Sequence, residues 1–314
     1  RSTLFPYTTL FRSIDDLYED LLRRDFVMNS LCMNEEGEIL DYLGGQEDIK
    51  KKLIRTIGNA SDKFTEDSLR ILRAVRFATI LDFSLEEEVK EAILKTKHLL
   101  NHLSYYRKKE ELDKIFTSAN YKKGIELLLE LGLEKELEIP NLSKVLNTNV
   151  TSLVAVWSIL NVTDKYPFQK NELDIIHSVR EVLELNNVDP MNLFHYGLYV
   201  NSVAGEIKGM DIRDITEAYN RLAIKSRSEI DIQSADIMEL LHRAPGRYLT
   251  EIYEDIEREI LYRRLNNDKR DISKYDPENK LYLEDIFELI PTELNSKNKR
   301  FILKNLHEQF KFSR

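Results

Sequence analysis

Four charged residues recur at every third position in the stretch FTEDSLRILRAVRFA, Phe64–Ala78. They are Asp67, Arg70, Arg73 and Arg76. On an α-helix this spacing places them in one slanted row beside an apolar side. That side consists of Ile71, Leu72, Val75 and Ala78. A carboxylate that accepts hydrogen bonds and guanidiniums that donate them could bind a polar or anionic ligand. The alternative is a solvated stripe, with Thr65 as the N-cap and Glu66 and Asp67 as the acidic first turn.

Three further stretches flank this row. Upstream, DLLRRDFVMNSLCMN contains Arg24, Asp25 and Asn29 beside apolar residues. Next comes DYLGGQEDIKKKLIRTIG, in which Asp41 ends a predicted strand and Gly44–Gly45 form a tight turn. Downstream lies LSYYRKKEELDKIF. Each has an ordinary structural explanation, since a carboxylate can cap a helix and a surface ion pair is worth less than about 1 kcal/mol.

Together, in this order, RRDFxxN, DxxGG and EDxLRxxRAxRF resemble motifs B, C and D of the class II nucleotidyltransferases. The resemblance is specifically to the bacterial CCA-adding tRNA nucleotidyltransferases, and it covers Leu17–Tyr275. LSYYRKKEELDKIF resembles their motif E, a helix-stabilising element. Arg107, Glu111 and Leu112 match that motif, whereas Tyr106 stands where the family usually has Glu. The resemblance therefore gives Arg107 and Glu111 structural roles.

The family extends tRNA with C, C and A without a nucleic-acid template, so protein atoms must read the incoming base. Cytosine and adenine both present an exocyclic amine donor beside a ring-nitrogen acceptor, and guanine and uracil present the reverse. A carboxylate paired with a guanidinium can therefore accept C or A and reject G and U. The resemblance implies that Asp67 and Arg70 are this pair and that CTP and ATP are the substrates.

The resemblance gives the remaining motif residues further contacts with the nucleotide. It implies that Arg24, Arg73 and Arg76 bind it, with the triphosphate as the natural partner of a guanidinium. Asp25 and Asn29 are expected either to contact the ribose or to have a structural role.

The family's motif A is not found in this sequence. In the intact enzyme, the resemblance implies that an Asp-x-Asp pair behind a glycine-rich loop holds two Mg²⁺ ions. No such pair precedes Arg24, and residues 1–13, RSTLFPYTTLFRS, resemble a translated sequencing adapter that we exclude from fold reasoning. We therefore expect an N-terminally truncated enzyme that has no catalytic or metal-binding carboxylates of its own and is inactive alone.

The elements that position these residues are predicted to be mainly α-helical. Glycine and proline are few, 10 and 7, and apolar residues recur at helical spacing over long stretches, including one helix over Glu66–Ile80. The exception is LCMNEEGEILDYLGG, which predicts a β-hairpin that turns at Glu36–Gly37. We interpret this hairpin as the remnant of an α/β nucleotidyltransferase head followed by an all-helical neck, body and tail.

The predicted domain boundaries follow the motifs. They are 14–60 for a partial head with motifs B and C, 61–120 for a neck with motifs D and E, 121–188 for a helical body, 189–276 for a helical tail that binds tRNA, and 277–314 for an extension of unknown role.

Composition limits the partners. The formal net charge of −9 argues against a general polyanion binder, but phosphate contact depends on where Lys and Arg cluster. Such clusters exist at Lys50–Lys52 with Arg55, at Arg70–Arg76, and at Arg107–Lys109. No apolar run approaches the roughly 18 residues that span a bilayer, so no membrane partner is expected. The single cysteine, Cys32, excludes an internal disulfide and favours a cytoplasmic location. The oligomeric state stays open.

We expect the acceptor arm of tRNA to be the macromolecular partner, held mainly through its phosphates. Two alternatives stay open. One is another reaction of the superfamily, namely poly(A) addition or the addition of CC or A alone, which motifs B to E do not separate. The other is a non-catalytic helical RNA-binding module, which would have no reason to prefer CTP over GTP.

Overall fold

The computed structural model describes residues 14–275, and it is mainly α-helical, as predicted. The predicted adapter segment, residues 1–13, and the extension, residues 277–314, lie outside the described residues. The chain divides into two compact units. The first runs to Asn187 and includes Leu198–Thr216, and the second comprises Val188–Gly197 and the chain from Glu217 onward. Among residues 14–275, no helix is both long enough and apolar enough to cross a membrane.

The elements of the first unit follow the order helix, hairpin and then successive helices. They are α1 (Ile14–Arg23), a 3₁₀ turn (Val27–Asn29), β1 (Cys32–Met33), β2 (Ile39–Leu40), α2 (Gly45–Lys51), β3 (Leu53–Ile54), α3 (Ala60–Glu66), α4 (Leu69–Ile80), β4 (Ser84–Leu85), α5 (Glu87–Thr96), a 3₁₀ segment (Lys97–His102), α6 (Tyr105–Phe116), α7 (Tyr121–Glu130), α8 (Glu134–Leu137), α9 (Leu142–Leu146), α10 (Leu153–Leu160) and α11 (Lys170–Leu183).

The remaining elements follow α11 in the chain. They are α12 (Pro190–Lys208), which bends at Gly197 where φ is +74°, α13 (Ile212–Asn220), a 3₁₀ turn (Arg227–Glu229), α14 (Ser234–Leu241), α15 (Tyr248–Leu261) and α16 (Lys269–Lys274). Helices α12 and α13 each have residues in both units, and the elements after them belong to the second unit. The second unit has its own core of branched aliphatic side chains. Its buried members are Ile224, Ile230, Ile232, Ile237, Ile256, Ile260, Leu261, Leu265 and Ile272.

The predicted β-hairpin is present. β1 and β2 pair antiparallel, with Cys32 opposite Leu40 and Met33 opposite Ile39. Gly37 has φ +85°, a left-handed conformation that suits glycine in the turn. A second pairing escaped prediction: β3 lies parallel to β4. Each of these strands has only two residues, which is too short for an alternating pattern to register in the sequence.

The single helix predicted over Glu66–Ile80 is wrong, because the structure has two helices there. Helix α3 begins at its N-cap Asn59, whose side chain accepts a hydrogen bond from the Asp62 N–H at 3.1 Å. It ends at Glu66, and Asp67 adopts an extended conformation (φ −148°, ψ 103°). The Asp67 carboxylate then accepts a hydrogen bond from the Leu69 N–H at 3.1 Å, at the start of α4. Asp67 therefore sits in the joint between two helices and not within one.

Helix α4 is the centre of the first unit. Its predicted apolar side is confirmed, since Ile71, Leu72 and Val75 are fully buried. Helices α6 and α7 pack against it. Gly124 of α7 permits the close approach, because a Cβ there would lie 2.6 Å from both the Ile115 Cγ2 and the Thr79 Oγ1. With this face buried, the arginines of α4 project along its other sides.

Candidate nucleotide-binding site

Motif B meets motif D through a buried carboxylate. Asp25, which follows α1, has a side chain that is 9% exposed. Its Oδ2 accepts hydrogen bonds from the Arg73 Nε at 2.7 Å and lies 2.5 Å from the Arg73 Nη2. Its Oδ1 accepts from the Asn29 Nδ2 at 3.0 Å and from the Phe26 N–H at 2.9 Å. Asp25 thus fixes the guanidinium of Arg73, which lies 48 residues away in the sequence.

The electrostatics of this contact favour the ionised form of Asp25. Burial raises the pKa of its carboxyl, but hydrogen bonds from Asn29 and Arg73, with the charge of Arg73, lower that pKa further than burial raises it. The net pKa lies below the ordinary value of 3.8. Asp25 is therefore a carboxylate at neutral pH, and Arg73 is its counter-ion.

Arg24 lies at the solvent-facing edge of the same motif. Its Nη1 donates to the Asn29 carbonyl at 3.0 Å, and its Nη2 approaches the Asp20 Oδ2 at 3.4 Å. The Arg24 side chain is 42% exposed. Since a guanidinium has five N–H donors, Arg24 keeps donors that can face a ligand.

The predicted base-reading residues Asp67 and Arg70 each contact other partners. The Arg70 Nη1 donates to the Glu66 Oε2 at 2.6 Å and to the Lys63 carbonyl at 2.9 Å. Asp67 accepts from the Arg107 Nη2, which lies 3.3 Å from each carboxylate oxygen. In the sequence, Glu66 belongs to the EDxLRxxRAxRF match and, under the alternative interpretation, to an acidic first turn, but no periodic signal marks it as the counter-ion of Arg70.

The motif E residues contact the motif D residues from α6. Besides Arg107 with Asp67, Glu111 lies beside Arg76, with their Oε2 and Nε 3.0 Å apart. The Glu111 side chain is buried, at 5% exposure, and that of Arg76 is 14% exposed. The two atoms form an ion pair without a hydrogen bond between them. Burial lowers the pKa of Arg76, and the charge of Glu111 opposes that shift. The Arg76 guanidinium also lies 4.3 Å from the centre of the Phe77 ring.

The DxxGG stretch has a structural task. The Asp41 carboxylate accepts hydrogen bonds from the N–H groups of Gly44, Gly45 and Gln46 at 2.8–2.9 Å, and so caps the start of α2. Burial raises the pKa of Asp41, but these backbone hydrogen bonds lower it to a net value below the ordinary one. The cap anchors α2, which packs on the 3₁₀ turn that follows Asp25 and Phe26.

The described residues contain no cluster of three or more metal-ligating side chains. Within residues 14–275, no three His, Cys, Asp or Glu side chains are arranged so that they could hold a metal ion. The carboxylates near the arginines are already engaged with guanidiniums, as Asp25, Asp67 and Glu111 show.

The arrangement is suited to binding an anionic, base-bearing ligand. Arg24, Arg73 and Arg107 are 42%, 34% and 45% exposed, so their unused N–H groups face solvent. The Asp67 carboxylate, which pairs with Arg107, is 38% exposed and offers acceptor oxygens to a ligand. The predicted site residues thus form ion pairs that link α4 to the end of α3, to α6 and to the segment after α1, with Asp67 in the joint between α3 and α4 paired to α6.

Three family models match successive segments of the chain. Residues 6–55 match a model described as the poly A polymerase head domain. Residues 82–145 match one described as the probable RNA and SrmB-binding site of polymerase A. Residues 159–275 match one described as tRNA nucleotidyltransferase domain 2.

Curated relatives and solved structures agree with these models. The chain is 34% identical to the CCA-adding enzyme of Bacillus velezensis, over 84% of this chain and 74% of the relative, and 31% identical to that of Bacillus subtilis, over 83% and 73%. A crystal structure of the Bacillus stearothermophilus CCA-adding enzyme in complex with CTP superposes with a TM-score of 0.74 at 26% identity, over 82% of this chain and 73% of that one. A Thermotoga maritima CCA-adding enzyme complexed with tRNA shares the fold, with a TM-score of 0.55 at 21% identity, over 87% and 74%. These relatives and the family models show that the chain belongs to the CCA-adding enzyme family.

Proposed function

We propose that this chain forms the nucleotide-selecting and tRNA-binding part of an enzyme that adds C and A to the 3′ end of tRNA from CTP and ATP. One observation carries the proposal. Three motifs that are separate in the sequence meet around α4, through Asp25 with Arg73, Asp67 with Arg107, and Arg76 with Glu111. A solvated stripe of arginines would not need buried carboxylates from two other segments.

Base selection is assigned to Asp67 and Arg70. The Asp67 carboxylate accepts the exocyclic amine that C and A share, and the Arg70 guanidinium donates to the ring nitrogen beside it. Guanine or uracil would place donor against donor, and each unmade bond costs about 1–3 kcal/mol. In the structure Arg107 contacts the Asp67 carboxylate and Glu66 contacts one nitrogen of Arg70. A carboxylate has further acceptor positions and a guanidinium has further donors, so the base is proposed to bind to those that these partners leave unused.

The remaining motif residues hold the rest of the nucleotide. Arg24, Arg73 and Arg76 are proposed to bind it, with the triphosphate as the anionic partner. Arg73 directs its Nε and Nη2 towards Asp25, which leaves its other N–H donors for phosphate oxygens. Asp25 and Asn29 are proposed to orient Arg73 and to contact the ribose.

The macromolecular partner is proposed to be the acceptor arm of tRNA, bound along the helices that follow α4. We place the protein in the cytoplasm, where a free thiol such as that of Cys32 stays reduced.

The test is nucleotide binding by the chain and by its Asp67→Ala variant. We expect the unmodified chain to bind CTP and ATP more tightly than GTP and UTP, and Asp67→Ala to reduce this preference by about tenfold, the value of one hydrogen bond. Isothermal titration with each nucleotide measures both. Asp62→Ala is the matched control, because it removes an exposed carboxylate of α3 that belongs to no motif.

An unchanged C/A preference in Asp67→Ala would exclude the assigned reading pair. Equal affinity of the unmodified chain for CTP and GTP would favour the helical RNA-binding module instead. A preference for ATP alone or CTP alone would favour a sister activity of the superfamily.

A further inference from the structure

Helix α6 presents two opposite faces with different partners. Arg107 and Glu111, four residues apart, lie on one face and pair with Asp67 and Arg76. Lys109 and Asp113 are also four residues apart but are offset by two positions, and they therefore lie on the opposite face. The first face belongs to the proposed nucleotide site, whereas the second takes no part in it.

The second face is anchored to α10 by a buried indole. The Trp157 Nε1 donates to the Asp113 Oδ1 at 2.8 Å, and the Lys109 Nζ donates to the Asp113 Oδ2 at 2.8 Å. Trp157 is 1% exposed. Its ring centre lies 5.1 Å from that of Tyr166 and 5.3 Å from that of Phe168. The Lys109 Nζ lies 4.8 Å from the Phe168 ring centre.

This anchor fixes how α6 is rotated about its axis. A buried indole N–H without an acceptor would lose its hydrogen bond to water without replacement, so the Trp157 N–H holds Asp113 in place. Because a helix turns as a rigid unit, the position of Asp113 on one face sets the positions of Arg107 and Glu111 on the other. The Arg107 Nη2 lies 3.3 Å from each Asp67 oxygen, near the long limit of a hydrogen bond, so a small rotation would break that contact.

We propose that Asp113 and Trp157 are positioning residues for nucleotide selection: their hydrogen bond sets the rotation of α6 and so the direction in which Arg107 holds the Asp67 carboxylate. This inference rests on the proposed function of Asp67. It assigns to α10, through its contact with α6, an effect on which base is accepted.

The test measures the dissociation constants of CTP and UTP for the full chain and its variants. Trp157→Phe keeps an aromatic ring but removes the N–H, and Asp113→Ala removes the acceptor at a position that is 27% exposed. The thermal unfolding of each variant is measured alongside, to establish that it is folded at the temperature of the binding assay. We expect each change to reduce the UTP-to-CTP ratio of dissociation constants by about fivefold, within the range of network mutations. The double variant should lose no more than either single one, because both break the same bond. Asp113→Asn, which keeps an oxygen acceptor, should retain most of the ratio.

Tyr166→Phe is the matched control. It removes one buried hydrogen bond, from the Tyr166 hydroxyl to the Leu137 carbonyl at 2.7 Å, within the same aromatic cluster. We expect it to lower thermal stability without changing the UTP-to-CTP ratio. An unchanged ratio in both Asp113→Ala and Trp157→Phe would overturn the inference. An equal loss of the ratio in Tyr166→Phe would also overturn it, because stability alone would then explain the effect.

The Asp67→Ala result distinguishes a failure of the positioning role from a failure of the proposed base-reading function. If Asp67→Ala abolishes the preference for CTP while Asp113→Ala and Trp157→Phe leave it intact, only the positioning role falls. If Asp67→Ala itself leaves the preference intact, the reading pair falls and the positioning role falls with it.

Discussion

At the scale of single residues, every arginine of the motif D row has an acidic partner. Arg70 pairs with Glu66, Arg73 with Asp25 and Arg76 with Glu111. These partners hold the guanidiniums in fixed directions before any ligand arrives, which reduces the entropy that a ligand must remove on binding. The two pairs with the most buried carboxylates differ in their contacts. Asp25 accepts a hydrogen bond from Arg73, whereas Glu111 forms an ion pair with Arg76 without a hydrogen bond.

We predict that Asp25→Asn lowers the free energy of unfolding by about 2 kcal/mol at pH 7, because it leaves Arg73 without its buried charged partner. The pKa of Asp25 is lowered in the folded state. Its stabilisation is therefore present above the ordinary pKa of 3.8 and is lost as the pH falls through the lower, folded-state pKa. Urea unfolding at pH 7 and near pH 3 should show the gap between the two proteins shrinking in acid.

Asp20→Asn is the control for that prediction. Asp20 pairs with Arg24 at the surface, where the two side chains are 39% and 42% exposed, so its loss should cost less than about 1 kcal/mol. A gap between the Asp25→Asn and unmodified proteins that stays constant from pH 7 to pH 3 would contradict the role of the carboxylate charge.

At the scale of elements, the joint between α3 and α4 decides how the reading pair is presented. In one continuous helix, Asp67 and Arg70 would stack one turn apart on the same face. The extended conformation of Asp67 instead turns its carboxylate towards Arg107 of α6, while Arg70 reaches back to Glu66 at the end of α3. The pair is therefore held by three helices together.

We predict that Gly124→Ala lowers the free energy of unfolding by about 1–3 kcal/mol, because the new methyl group would lie 2.6 Å from the Ile115 Cγ2 and from the Thr79 Oγ1. The gain in helix propensity of about 1 kcal/mol does not offset an overpacked contact between α7, α6 and α4. Thermal and urea unfolding measure the loss.

Glu126→Ala tests whether the effect comes from packing. Glu126 is an exposed residue of the same helix, so its replacement should change stability by no more than about 0.5 kcal/mol. A Gly124→Ala protein as stable as the unmodified one would show that α7 can move away from α4 at little cost.

At the scale of the whole molecule, net charge and local charge oppose one another. The formal net charge is −9, yet many acidic groups form ion pairs with basic ones, as Glu130 does with Lys90 and Glu257 does with Arg227. The electrostatic potential at a basic cluster therefore depends on the charges near it and not on the net charge of the whole chain. Binding to a polyanion then depends on the few cations that phosphates can reach.

We predict that tRNA affinity falls steeply with salt. If three phosphates are neutralised, raising the monovalent salt from about 50 to 200 mM weakens binding by about fortyfold through counterion release. Fluorescence anisotropy with labelled tRNA over this range gives the slope. A short hairpin with the acceptor-arm sequence should give the same slope if that arm supplies the contacts, whereas affinity that is independent of salt would contradict phosphate binding.

The sequence by itself determined what local patterns encode. The helical spacing of Ile71, Leu72 and Val75 predicted the buried side of α4, and the turn residues around Gly37 predicted the hairpin of β1 and β2. The ordered motifs identified the family. The buried side of the helix and the hairpin depend on residues that are close in the sequence, so the spacing of apolar residues and the turn residues predicts them directly.

The tertiary structure alone decided which side chains meet. Asp25 joins Arg73 across 48 residues, Asp67 joins Arg107 across 40, and Asp113 joins Trp157 across 44. It also decided the helix break at Asp67, where the capping of the Leu69 N–H outweighs the helical periodicity of the stretch. No period in the sequence records such contacts, because a charged side chain has the same local pattern whether it faces water or a distant partner, and only packing brings the partner within reach.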